Sequence, residues 1–344
     1  MGRLGRLLLI YFIIMSLAAC QKKKVETANP FFEEWTTPYG VPPFDRIRPE
    51  HFLPAFERGM SLHNAEIDAI VDTSDEPTFE NTIAAYDASG RMLQRTSLIF
   101  EMLAASDATP EMQAVEQEAM PLLAAHADEI RMNERLFGRI KAVYDRREAL
   151  PLTAEQRRLT EKLYRRFVRS GALLDEAGKR RLKEINGDLS RLSVKYGNNL
   201  LHENDAFGLE LTADRLEGLP NAVREAAREK AQAAGLGDKS YLFTLHKPSM
   251  LPFLSYAKDR KLREELYTAY LDRCNHGDEY DNKALVNDYI RLRTEKAHLL
   301  GYDSFADYVT ADQMAATPAA VYALLDEIWT PALDRAGEEL AEMD

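Results

Sequence analysis

The chain is short of cysteine, of basic charge and of recognisable catalytic signatures, and each shortage excludes something. Two cysteines, Cys20 and Cys274, occur in 344 residues, so no disulfide framework holds the fold. Lys and Arg number 44 against 56 Asp and Glu, a formal net charge of −12. So acidic a body repels phosphate backbones, which excludes nucleic acid as a partner. The sequence has no phosphate-binding loop, no Gly-x-Gly-x-x-Gly and no Gly-x-Ser-x-Gly elbow. No two of its seven histidines (His51, His63, His126, His202, His246, His276, His298) stand four apart, the spacing that lets two imidazoles on one helical face grip a zinc ion. The nearest approach is His202-Glu203-Asn204-Asp205-Ala206, where alanine occupies the second ligand position; it reads as a solvated helix end. Sequence repeats of 20–50 residues are absent as well, which excludes a uniform solenoid.

What is present begins at the N-terminus. Arg3 and Arg6 precede an apolar run from Leu7 to Met15, followed by Leu17-Ala18-Ala19-Cys20. The run is far below the roughly 20 residues that span a bilayer, and the pattern is that of a secretory signal. Leu-Ala-Ala-Cys resembles the bacterial lipobox, which implies that residues 1–19 are a signal peptide and that Cys20 is lipidated. Gln21-Lys22-Lys23-Lys24 then starts a polar tether expected to reach residue 40. The expected location is the periplasmic side of a bacterial envelope, with the lipid as the membrane contact. Gln21, in place of the aspartate that often retains such lipoproteins at the inner membrane, points to the outer one.

Residues 41–344 read as a helical body, and a chain that is 45% apolar has ample material for a core. Pro49 opens a first helix carrying Phe52, Ala55, Phe56, Ile67, Ile70 and Val71. Thr78 opens a second along Ile83, Tyr86, Met92, Leu93 and Phe100. Thr109-Pro110 is an N-cap with proline at the first helical position, and Thr153-x-x-Gln156 is a capping box. From Asp175 to about Leu201, the residues Leu182, Ile185, Leu189, Leu192 and Tyr196 recur at threes and fours, predicting one buried face. Further helices are expected around Asn221–Ala234, Arg260–Arg273, Asn282–Leu300, Ser304–Tyr308 and from Pro318 on. Period-two alternation at 206–211 and 240–246 predicts a small β-hairpin-like excursion. The expected fold class is therefore all-α, an elongated multi-helix array with that one β element. The helix after Pro318 keeps its apolar spacing through Leu324, Leu325, Ile328, Leu333, Leu340 and Met343 without a cap, the pattern of a chain that stops before its protein does.

Other chemistry-bearing residues read as structural. Cys274-Asn275-His276 supplies too few ligands for a metal and reads as a half-buried cysteine beside a loop histidine. Asp278, Glu279 and Asp281 read as a solvated cap for the next helix. Lys179-Arg180-Arg181 and Arg157, Arg158, Arg165 and Arg166 read as solvated helix faces.

Several blocks together resemble one family. Pro43-Phe44-Asp45 with Pro49-Glu50-His51-Phe52-Leu53-Pro54-Ala55-Phe56, Pro77-Thr78-Phe79-Glu80-Asn81-Thr82-Ile83, Asn133-Glu134-Arg135-Leu136-Phe137, Phe167-Val168-Arg169-Ser170-Gly171-Ala172 and Arg291-Leu292-Arg293-Thr294-Glu295-Lys296-Ala297 to Leu300-Gly301-Tyr302 are similar, in order, to the thimet and oligopeptidase A-like M3 zinc metallopeptidases. The bacterial peptidyl-dipeptidase branch is nearest in pattern. The resemblance implies a helical body whose halves face each other across a channel. It implies Zn2+ held by two histidines of His-Glu-x-x-His and a distant glutamate, and short peptides as substrates, cut as C-terminal dipeptides or, alternatively, at internal bonds. A monomer is expected for the full-length protein. No catalytic or zinc-binding residue carries over, because the motif is absent; the 344 residues correspond to one channel wall and are expected to be inactive alone. If the protein truly ends at Asp344, the expected role is instead a peptide- or partner-binding lipoprotein.

Overall fold

A computed structural model describes residues 29–343. The signal peptide and the lipidation position Cys20 lie outside the described residues. Twelve helices and one two-stranded sheet make up the described fold. The chain divides into two compact units, one holding residues up to Arg191 and from Thr294 on, the other Leu192–Arg293.

The first unit is organised along α1 (Phe52–Asp72). Its inward positions follow a stripe at threes and fours, the spacing of one helical face. Phe52, Ala55 and Phe56 enter one core cluster with Phe31, Ile99, Phe100, Met112 and Val115. Phe31 comes from the turn Pro30–Phe32, and the other partners from α2 (Arg91–Ser106) and α3 (Pro110–Arg131). Ile67, Ile70 and Val71 enter a second cluster with Ile83, Leu136, Ile140, Leu163 and Phe167, contributed in part by α4 (Glu134–Arg146) and α5 (Ala154–Arg169). Gly59 lies between the two sets; a Cβ there would meet the Leu93 backbone at 3.0 Å, so glycine sets how closely α2 approaches α1.

Caps begin several helices where the sequence places them. Thr109 Oγ1 accepts from Met112 N at 3.3 Å. Thr153 and Gln156 exchange both capping-box bonds, at 3.2 and 3.0 Å. The helix expected from Thr78 through Phe100 is broken instead. Residues Phe79–Ala84 are π-helical, Ala85–Asp87 form a single α-turn, and α2 starts after Gly90. Gly90 has φ +70° and its N–H donates to Glu66 Oε2 at 2.6 Å, so a side chain on α1 fixes the break. The expected tether to residue 40 also ends early. Asn29 and Phe31 are buried, Asn29 Nδ2 donates to His51 O at 2.8 Å, and Phe31 packs on Phe52 with ring centroids 5.2 Å apart.

The second unit starts within α6 (Glu176–Ala206). β1 (Leu209–Thr212) pairs antiparallel with β2 (Ser240–Phe243), Leu209 opposite Phe243 and Thr212 opposite Ser240. Between them runs α7 (Asn221–Ala233). The expected strand to residue 246 stops at Phe243 because the Thr244 N–H turns to Ser249 Oγ, 3.0 Å away. Ser249 belongs to α8 (Lys247–Tyr256), a helix that sequence reasoning missed. α9 (Arg260–Leu271) and the start of α10 (Lys283–Leu299) complete it, while α11 (Phe305–Thr310) and α12 (Pro318–Met343) belong to the first unit. The core of the second unit gathers Leu209, Leu211, Leu216, Phe243, Met250, Phe253, Leu262 and Leu266. Among the described residues no helix is long and apolar enough to cross a membrane.

Candidate functional site

The His202–Ala206 stretch and the Cys274–Asp281 loop, separate in sequence, come together at the end of α6. Glu203 meets His276 Nε2 at 3.0 Å, and His202 stacks on Tyr280 with centroids 3.6 Å apart and planes 11° apart. Arg273 donates to Asn204 Oδ1 at 2.7 Å. This helix end is therefore a joint and not merely solvated. The polar groups are consumed internally. Asp281 accepts from Gly277 N at 2.7 Å and Lys283 N at 2.8 Å, and those backbone donors hold its carboxyl below the usual range. It holds the start of α10, but with its side chain only 12% exposed it is not the solvated cap that the sequence suggested. Cys274 is buried at φ +57°; burial, aided by the Glu203 charge, pushes its thiol up, which suits an inert structural cysteine. Among the described residues no three of His, Cys, Asp and Glu converge as a metal-binding group. These residues do not fit a catalytic zinc, which takes three protein ligands and an open position.

Beside this joint, α6 and α10 line an apolar groove of about 330 Å³. The expected buried face of α6 holds only at Leu182 and Ile185. Leu192 and Tyr196 instead line the groove with Leu285, Val286 and Tyr289, and Tyr196 is 44% exposed. Period alone does not distinguish a core face from a groove wall, since both are apolar.

The basic stretches also divide. Lys179 is buried, its Nζ 2.6 Å from Glu134 and 3.5 Å from Glu176. Arg181 holds Glu295 at 2.6 Å and Glu184 at 2.8 Å. Neither is the solvated face that the sequence suggested, because carboxylates from other helices reach them. Arg157 lies 3.5 Å from Glu148, Arg158 3.3 Å from Glu161 and Arg165 3.1 Å from Asp312, and Arg158 and Arg165 stay exposed.

A polar centre that no motif announced lies in the first unit. His63 occupies the inward stripe of α1 between the two clusters, and its Nδ1 is 3.1 Å from His126 Nε2 on α3. His63 Nε2 is 3.2 Å from Ser89 Oγ, and Ser89 Oγ donates to Tyr86 O at 2.7 Å. A hydroxyl has one proton, so Ser89 must accept from His63 Nε2–H; with both rings neutral, His63 Nδ1 then accepts from His126 Nε2–H. Burial lowers both imidazoles from their ordinary value, His63 further through His126. A histidine every few turns of a helix carries no signal in sequence; only its coincidence with the apolar stripe of α1 marked it.

The last feature is α12. None of its residues is buried, although Tyr322, Leu325, Trp329, Leu333 and Leu340 are each more than half exposed.

The sequence model of peptidase family M3 matches residues 253–344. Dipeptidyl carboxypeptidase of Escherichia coli is 36% identical over 318 residues, covering 92% of this chain and 46% of that protein. Oligopeptidase A of Haemophilus influenzae is 30% identical over 311 residues, covering 88% and 45%, and the probable cytosolic oligopeptidase A of Arabidopsis thaliana is 28% identical over 326 residues. The chain belongs to peptidase family M3. It spans about half the length of the relatives it matches.

Proposed function

We propose that this chain is the N-terminal portion of an envelope-anchored zinc metallopeptidase that hydrolyses short peptides and releases C-terminal dipeptides. The observation that carries the reading is the 36% identity to a dipeptidyl carboxypeptidase, continuous over 318 residues of this chain. The zinc ligands and general base come from polypeptide matching the remainder of such relatives. That polypeptide covers α12, burying an apolar face that is otherwise in water. The Cys20 lipid holds the assembly at the periplasmic side of the outer membrane. Cleavage at internal bonds is the second reading, favoured by the 30% identity to an oligopeptidase A.

The test joins the chain to the coding sequence downstream of codon 344 and assays matched peptides with free and amidated C-termini. Dipeptide release from free acids alone supports the first reading, and indifference to amidation supports the second. A stop codon directly after Asp344, with no peptidase activity in the native envelope fraction, removes both and leaves a binding lipoprotein. Mass spectrometry of the purified protein tests the anchor: an acylated Cys20 at the mature N-terminus is expected, and an unmodified one overturns it.

A further inference from the structure

The cavity beside the His63–His126 pair has a volume of about 390 Å³ and is lined by polar and apolar side chains from α1, α2, α3, α5 and the Tyr86–Gly90 turn. Two arginines reach it, Arg131 from α3 and Arg166 from α5. Other arginines of these and neighbouring helices are matched with acids: Arg135 with Asp72 at 2.9 Å, Arg165 with Asp312 at 3.1 Å and Arg157 with Glu148 at 3.5 Å. Arg131 and Arg166 have no side-chain hydrogen bond or ion pair among the described residues, and the Tyr86 hydroxyl, which feels both charges, has no hydrogen-bond partner among them either. Acids outnumber bases in this chain, 56 to 44, so two guanidinium groups lining one cavity without an ion pair call for an explanation; the buried Asp128 feels the charge of Arg131 but forms no ion pair with it and accepts from Asn186 instead. Asp87 also lines the cavity, yet it lies beyond ion-pair distance of both arginines, and Glu66 is occupied by the Gly90 N–H.

We infer that this cavity is a binding site for a small oxyanion, a phosphate or carboxylate group held by Arg131 and Arg166 with the Tyr86 hydroxyl as a further donor. A guanidinium presents a planar fork of N–H donors that matches such oxygens bidentately. The His63–Ser89 hydrogen bond closes the inner wall. The volume falls within the range of ordinary ligand pockets, roughly 300–1,000 Å³. The inference rests on this chain's own residues and is tested without peptide hydrolysis.

Inorganic phosphate and succinate are titrated into the full chain by calorimetry, with potassium chloride holding ionic strength constant. Saturable one-site binding is expected, weakened at least about tenfold in the Arg131→Gln, Arg166→Gln double variant. Tighter phosphate identifies a phosphate-bearing ligand, and tighter succinate a carboxylate. The variant's thermal melt, matched to the parent's, separates loss of the site from loss of the fold; should it melt early, the single exposed change Arg166→Gln carries the test. Absence of saturable heat with both probes, or equal binding in parent and variant, overturns the inference.

Discussion

At the scale of single residues, the His63–His126 contact has a consequence for stability. Both imidazoles are lowered from the ordinary value, first by burial, so the folded protein binds fewer protons than the unfolded chain just below about pH 6.5. The pair therefore leaves stability unchanged at higher pH and removes it as pH falls through the ordinary imidazole value toward the lowered ones. Chemistry gives the same sign. Protonating His63 at Nδ1 places two N–H groups nose to nose across 3.1 Å unless His126 changes tautomer, and a second proton has no such remedy. In His126→Gln, the amide N–H replaces the imidazole donor and no longer titrates. Urea midpoints measured at about pH 8 and pH 5 are expected to fall more in the parent than in this variant; equal falls would show that the pair is not the titrating element. His51, also lowered by burial, is common to both proteins and cancels in the comparison.

Elements test how local geometry is enforced. Gly218 sits at φ +90°, and a Cβ there would lie 2.2 Å from the Tyr256 backbone oxygen. Gly235 has a similar φ of +73° but open space around it. Gly218→Ala should thus cost at least about 2 kcal/mol, conformational strain plus a clash that backbone cannot relieve, whereas Gly235→Ala should cost about 1 kcal/mol from strain alone. Chemical denaturation of the two variants checks this, and equal losses would mean that the Tyr256 contact is slack. Thr153→Ala, which removes one half of a capping box, is expected to cost about 1 kcal/mol. That cap was readable in the sequence because its chemistry is local: a hydroxyl three residues before an amide. So were the strand pair, through alternation, and most helices, through apolar spacing. α8 was not readable, because Pro252 inside it resembles a breaker; the surrounding core, with Met250 and Phe253 buried, overrides the lost hydrogen bond. The break at Gly90 was hidden for the opposite reason, since the residue that fixes it, Glu66, lies 24 positions away. The clusters at His63 and His276 are long-range in the same way and leave no local trace.

For the whole molecule, the decisive quantity is the apolar surface of α12. Tyr322, Leu325, Trp329, Leu333 and Leu340 follow spacings of three, four, four and seven, which align them along one side of a helix. Each is 52–66% exposed, and fully burying a large apolar side chain is worth roughly 1.5–3 kcal/mol. A face this large drives association when nothing covers it. Alone in solution the chain is therefore expected to self-associate with increasing concentration, as read by light scattering. Leu325→Glu, Trp329→Glu and Leu333→Glu together should return it to a monomer. Glutamate is a good helix former and these side chains contribute little to either core, so the melting temperature should hold while the mass falls. Adding the downstream polypeptide in trans should also abolish self-association of the parent chain, by covering the same face, but should fail to bind the triple variant. A parent chain that stays monomeric at every concentration would refute the argument from exposure and, with it, the reading of α12 as a surface made to be covered.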